Sequence, residues 1–185
     1  KYLIHLAGLS RPMQVHNKKI DQSIDKNIIG TANITKVCFH LNIKLIYIST
    51  CYVYPGIKGN YSELSPLKPI NNYAWSKLGG ECAVMLYNNS LILRASVTEK
   101  PFVHKGAFTD FFTNFIFHEN LVPKILKIIN QKGIVNIGGK SQSVYNFIKG
   151  YNPKIKKYSA KKILGRNAPL NTTMNINKLK KLIND

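Results

Sequence analysis

Three side chains with chemistry to offer sit in two short stretches. Thr50 ends the apolar run "KLIYIST" (44–50), and Tyr73 and Lys77 open the stretch "NYAWSKLGGE" (72–81). Four residues apart, Tyr73 and Lys77 share one face of a helix and reach the same small volume. An ammonium beside a phenol favours the phenolate and lowers the tyrosine pKa, which readies the hydroxyl to give or take a proton near neutral pH. A hydroxyl from Thr50 is suited to hold a substrate oxygen next to it. By itself this spacing is common, and a solvated helix face is the alternative.

Such groups need a scaffold, and the pattern along the chain supplies one. The runs "YLIHLAG" (2–8), "KLIYIST" (44–50), "SLILRAS" (90–96) and "GIVNIG" (133–138) have the composition of buried strands. Helical spacing fills the intervals 23–42 and 72–89, with Asn71 or Asn72 as cap of the second. Strand, helix, strand, helix, strand predicts an α/β fold with a doubly wound parallel sheet, Rossmann-like but without its first strands. Polar residues at the carboxyl end of such a strand lie where open sheets bind ligands, which puts Ser49 and Thr50 at a site edge.

Beyond Ser96 the pattern changes. Residues 98–132 are aromatic-rich and then helical, with Pro101 and Pro123 as breaks. Phe108, Phe111, Phe112, Phe115 and Phe117 are expected to pack a core along a helix. Residues 140–151 predict a short capped helix that Gly150 ends, and 176–183 a last helix. Residues 1–98 are therefore grouped around the sheet, and residues 99–185 read as a smaller unit leaning on it, with 133–150 free to return to the main sheet.

Composition excludes several classes. A chain of 185 residues with 44% hydrophobic content buries a real core. No apolar run approaches the roughly 18 residues of a membrane span, and no signal peptide opens the chain, so a cytoplasmic protein without membrane contact is expected. The net charge of +19 invites nucleic acid, but only Arg11, Arg94 and Arg166 supply the planar forks that phosphate and base recognition favour. The lysines are spread among Ile and Asn residues; nucleic acid is not the expected partner. Cys38, Cys51 and Cys82 form no CxxC pair, and the five histidines no metal-ligand spacing, so no metal is expected.

The residues "STCYVYPG" (49–56), a loop ending "SELSPLKPINN" (62–72) and "YAWSKLGGE" (73–81) together resemble the extended short-chain dehydrogenase/reductase family. The resemblance is nearest to its dTDP-4-dehydrorhamnose reductase branch. "IHLAG" (4–8) is similar to the strand beside the cofactor and "KNIIGTAN" (26–33) to an Asn-x-x-Gly-Thr helix of that family. "LILRAS" (91–96) and "GIVNIGGKSQSVYNF" (133–147) fit later segments.

The resemblance implies NADP or NAD as cofactor, a nucleotide-activated sugar as substrate, and hydride transfer to a sugar ketone, with residues 1–98 the later part of a dinucleotide-binding domain and 99–185 mainly a substrate-binding unit. It implies that Thr50 bonds the reacting oxygen, that Tyr73 is the general acid, and that Lys77 tunes Tyr73 and holds the nicotinamide ribose. Ala7, Gly8, Asn27, Ser49 and Ser96 resemble cofactor-lining positions. Thr50, Cys51 and Tyr52 are assigned to the substrate, with Arg94 either on a substrate phosphate or in a structural ion pair. The dehydratase branch carries two acidic residues after the catalytic hydroxyl; Cys51 and Tyr52 stand there, so dehydration is disfavoured. The reductase branch commonly has Asp at the position of Cys51 and Trp at that of Val97. Cys51 is one position away from a cysteine that acts as an acid in the epimerase-reductases of fucose synthesis, but a free cysteine usually serves as a small hydrophobe, and that is the favoured reading of Cys51.

No GxGxxG or GxxGxxG turn occurs, and Lys1 enters what looks like a strand already under way, so the chain is expected to be a piece of a longer protein that binds cofactor poorly alone. Two rival functions remain: a nucleotide-sugar epimerase, and a non-catalytic nucleotide-binding regulatory subunit of the kind found in methionine adenosyltransferase. A homodimer is compatible with each.

Overall fold

The structure, a computed structural model, describes residues 1–11, 13–165 and 168–184; Arg166 lies outside them. Four strands, β1 (Tyr2–His5), β2 (Lys44–Thr50), β3 (Ser90–Ala95) and β4 (Gly133–Ile137), join in chain order into one sheet, every neighbouring pair parallel. β2 and β3 are buried along almost their whole length. Strands covered on both faces have no reason to alternate polar with apolar, which is why both sequences are nearly continuous in apolar residues.

Alternate residues of these strands feed opposite layers. Leu45, Tyr47 and Ile92 meet Cys38 of α1 (Gly30–His40) and Val84 of α2 (Asn72–Met85). On the other face Ile46, Leu91, Leu93, Val135 and Ile137 meet Leu121, Ile125 and Ile128 of α3 (His118–Ile128) and Leu179 of α4 (Asn177–Asn184). Helices thus cover both faces, as expected for a doubly wound sheet.

A further cluster, built from Ala107, Phe111, Phe117, Val144, Phe147, Ile148, Ile155 and Ala160, packs residues of the later half together. Its strands are short: Gly106–Phe108 beside Lys156–Tyr158, Phe112–Thr113 beside Gln142–Ser143, and Val97–Thr98 beside Ile116–Phe117. The phenylalanines between 108 and 117 therefore lie in short strands and connecting loops, not along a helix. The partners of those strands are distant in sequence, so local spacing does not reveal them. Phe111 and Phe117 are buried as expected, whereas Phe112 is exposed.

Two further helical expectations need amendment. The interval 23–42 is not one regular helix: a wide π turn (Ile24–Ile29) precedes α1 and turns Asn27 inward, where it is buried. Pro123 does not break the chain, because α3 runs through it. The buried stripe of Leu121, Ile125 and Ile128 holds that helix against the sheet and offsets the one backbone bond proline forgoes. The helix at Val144–Lys149 is capped by Ser143, whose hydroxyl accepts from Asn146 N, and is followed by Gly150.

Candidate active site

The carboxyl end of β2 turns directly into a single 3-10 turn, Cys51–Val53. Thr50 Oγ1 accepts the backbone N–H of Tyr52 at 3.2 Å, which fixes the hydroxyl at the strand end. Across from it, Asn71 caps α2 by accepting the N–H of Ala74 at 2.8 Å. That cap sets the first helical turn, so Tyr73 and Lys77 follow one above the other on the face turned to the strand ends. The ring of Tyr73 is braced edge-on by His16, with centroids 5.2 Å apart.

These groups open on one cleft of about 1340 Å³. Gly8, Ser49, Thr50, Cys51, Tyr52, Tyr73, Lys77 and Ser96 all line it. Ser49 is buried, and its hydroxyl has no hydrogen-bond partner among the described residues. A buried hydroxyl left unpaired at a cleft wall is a place for a ligand to bond. Ser96 is different, because its hydroxyl pairs with Thr113 Oγ1 at 2.7 Å.

Three residues expected at the site lie elsewhere. Ala7 is exposed beside Gly8 but is not on the cleft wall. Asn27 is buried behind that wall with its amide committed: Oδ1 accepts from Leu9 N at 2.7 Å, while Nδ2 donates to Leu9 O and Ser76 Oγ, each at 2.8 Å. It ties the loop after β1 to α2, and both of its amide N–H donors are spent there. Arg94 is 2% exposed and belongs to a buried ion pair, Nη2 to Glu81 Oε2 at 2.8 Å, with further bonds to Tyr54 and Glu63. A guanidinium so enclosed cannot meet a substrate phosphate.

The electrostatics also correct one expectation. Tyr73 is not shifted toward the phenolate: burial pushes its pKa up to about 12, the nearby Cys51 adds to this, and Thr50 and Arg11 pull against it. Burial lowers Lys77 to about 8, with Glu81 pulling back. Burial is the largest influence on the phenol, and the cation that acts on it is Arg11, not Lys77. Tyr73 is therefore a protonated acid at pH 7, and Lys77 is still mostly charged. Burial raises both Cys51 and Tyr52, so neither position offers a base at neutral pH.

Residues that spacing did not single out also line the cleft. Arg11 and Glu99 form an ion pair between the loop after β1 and the segment after Val97–Thr98. His104, Lys105 and His118 join Phe102, Phe108 and Phe115 on the wall built by the later half of the chain. The one available signal was Arg11, a rare arginine three residues beyond Gly8. Among the described residues no cluster of side chains could hold a metal ion, and no helix is long and apolar enough to cross a membrane.

The chain is similar to several known proteins. It is 35% identical over 96 residues to methionine adenosyltransferase 2 subunit beta of Xenopus laevis, a match covering 51% of the chain but 28% of that protein's length. Its fold is that of dTDP-4-dehydrorhamnose reductase from Bacillus anthracis in complex with NADP, with a TM-score of 0.82 at 24% identity over 96% of the chain and 73% of the other. UDP-glucuronic acid 4-epimerase from Bacillus cereus in complex with NAD also superposes, with a TM-score of 0.74 at 22% identity over 98% of the chain and 66% of the other. The family profile described as the RmlD substrate binding domain matches residues 1–120, the span that carries β1, β2 and β3, the strand-end hydroxyls and the Tyr73/Lys77 helix, and the chain belongs to that family.

Proposed function

We propose that the protein carrying this chain reduces a keto group on a nucleotide-activated sugar with a nicotinamide cofactor, NADP or NAD. The observation that carries the proposal is the meeting of Thr50, Tyr73 and Lys77 on one cleft with the unpaired hydroxyl of Ser49 beside them. Those residues fit a nicotinamide nucleotide: Ser49 has bonding capacity to spare, and Lys77 presents a cation at the cleft floor. Gly8 leaves room for close approach, since a Cβ there would stand 3.0 Å from Asn27 Oδ1 and 4.0 Å from Lys77 Nζ.

A nicotinamide bound there supplies the hydride. Thr50 donates a hydrogen bond to the ketone oxygen and holds it beside Tyr73. Tyr73 then gives its phenolic proton to that oxygen as the carbonyl carbon becomes an alcohol carbon. The raised pKa of Tyr73 keeps its proton available for donation at neutral pH, and the Arg11 guanidinium favours the phenolate charge that develops as the proton leaves. Cys51 and Tyr52 provide no acid–base pair, which favours reduction over dehydration. In this reading residues 1–98 carry the cofactor side and residues 99–185 the sugar-nucleotide side, except that β4 lies in the cofactor-side sheet. The proposal takes a nucleotide sugar and not a nucleic acid as partner, places the protein in the cytoplasm and allows a homodimer.

The test is turnover by the full-length protein with NADPH or NADH and a panel of 4-keto sugar nucleotides. Cofactor oxidation that Tyr73→Phe abolishes supports the proposal. Tight nucleotide binding without oxidation on any sugar supports a regulatory subunit instead, a reading favoured by the 35% identity to methionine adenosyltransferase 2 subunit beta. Interconversion of two sugar nucleotides without net cofactor use identifies an epimerase.

A further inference from the structure

Lys77 is 7% exposed, and burial works against its charge. Its own helix offers Glu81 one turn on, but both carboxylate oxygens of Glu81 accept from Arg94, at 2.8 and 3.2 Å. What the ammonium faces is an aromatic ring: Nζ stands 4.1 Å from the centroid of Tyr47. The negative face of an aromatic ring attracts a cation, most strongly where water is thin.

The Tyr47 ring is itself held by a hydrogen bond and a stacked neighbour. Its hydroxyl donates to the backbone carbonyl of Lys77 at 3.1 Å, so the residue under the ammonium is tied to the same residue's main chain. Gly80 lets α2 come close enough for this, since a Cβ there would lie 2.4 Å from the Tyr47 hydroxyl oxygen. Register across β1 and β2 sets His5 opposite Tyr47, and the two rings stack with centroids 5.6 Å apart. His5 Nε2 pairs with Thr31 Oγ1 at 3.0 Å. Burial, and then Lys77, lower the His5 pKa, so that ring is neutral at pH 7 and adds no repulsion. The titratable and charged groups around Lys77 are thus His5 and Tyr47 from the sheet, and Tyr73 and the Arg94-bound Glu81 along its own helix.

We propose that the Tyr47 ring, backed by the stacked imidazole of His5, is the seat that keeps the Lys77 ammonium charged and aimed into the cleft. Tyr47 is then a positioning residue that acts through Lys77 and does not touch the reacting atoms. Its bearing on hydride chemistry rests on the function proposed above; the seat itself does not require turnover.

The test separates ring electronics from ring shape. Tyr47→Phe is compared with phenylalanines at position 47 bearing one, two and three ring fluorines, which weaken the negative face with little change in size. Lys77 ionisation is read in cofactor-free protein by competitive acetylation across pH and peptide mass spectrometry, and thermal melts confirm a common fold. The expected result is a stepwise fall of the Lys77 pKa with fluorination, reaching about one pH unit at three fluorines. A titration that stays flat across the fluorinated series overturns the seat, as does a shift already complete at Tyr47→Phe. Because labelling is independent of catalysis, an absent reductase activity leaves the seat standing, and a flat series leaves the reductase reading standing.

Discussion

Replacing Arg94 by Met is the perturbation that best separates a structural arginine from a ligand-binding one. Arg94 gives Glu81 one bond at 2.8 Å and a shared Nε contact at 3.2 Å to each oxygen, and adds bonds to Tyr54 Oη at 3.0 Å and Glu63 O at 3.2 Å. Arg94→Met leaves the Glu81 carboxylate, fully buried, without its cation. Breaking one side of a buried pair costs about 3–5 kcal/mol. For a chain of this size that corresponds to a melting point lower by roughly 10 °C. The second arm is Arg94→Met with Glu81→Leu, which removes the stranded charge along with its partner. Apolar replacement of a whole buried pair is often neutral, so the double variant should recover most of the loss, to within about 2 kcal/mol of the parent. Urea unfolding at pH 7, followed by far-ultraviolet circular dichroism, reads all three proteins. A single variant that loses less than about 1 kcal/mol, or a double variant no better than the single, refutes the reasoning.

Three other outcomes follow from the same structure. Asn27→Leu keeps the volume but strands the Leu9 amide and carbonyl; destabilisation of about 1–3 kcal/mol is expected, with faster hydrogen exchange at Leu9 and its neighbours. Lys77 has a folded-state pKa near 8 against an ordinary value of 10.5, so the unfolded chain binds the extra proton between those values and stability due to this group rises with pH there. Comparing urea midpoints of the parent and Lys77→Met from pH 7.5 to 9.5 checks the sign: the gap between them should move in the parent's favour as pH rises. In the full-length protein Thr50→Val removes the donor to the ketone oxygen, and steady-state kinetics should show kcat lower by about 100-fold with little change in the KM for cofactor.

The central sheet was legible because buried parallel strands write themselves as apolar runs, and "KLIYIST" and "SLILRAS" needed no partner to be recognised. The start of α2 was equally plain, since Asn71 caps locally and the Tyr73/Lys77 face follows from helical period. Non-local features were not. The short strands around Phe108 and Phe112 pair with segments far along the chain, and aromatic spacing there mimics a helix. Asn27 and Arg94 carry the right chemistry for ligands, but bonds to Leu9 and Ser76 take both amide donors of Asn27 and an ion pair with Glu81 holds Arg94, contacts visible only in three dimensions. The sign of the Tyr73 shift was missed because spacing shows the ammonium and says nothing of burial, which is the larger effect. The Tyr47 seat likewise depends on strand register, which sets His5 behind the ring, and on a glycine that lets the helix approach.

The most direct measurement of the proposed chemistry follows the hydride itself. Full-length protein is given a 4-keto sugar nucleotide and NADPH or NADH deuterated at the transferable position, and the sugar product is examined by mass spectrometry and NMR. One deuterium on the former ketone carbon, absent from the product of Tyr73→Phe, is the expected result. Deuterium that remains entirely on the cofactor while the sugar nucleotide is demonstrably bound contradicts the assignment of Thr50, Tyr73 and Lys77 to hydride reduction.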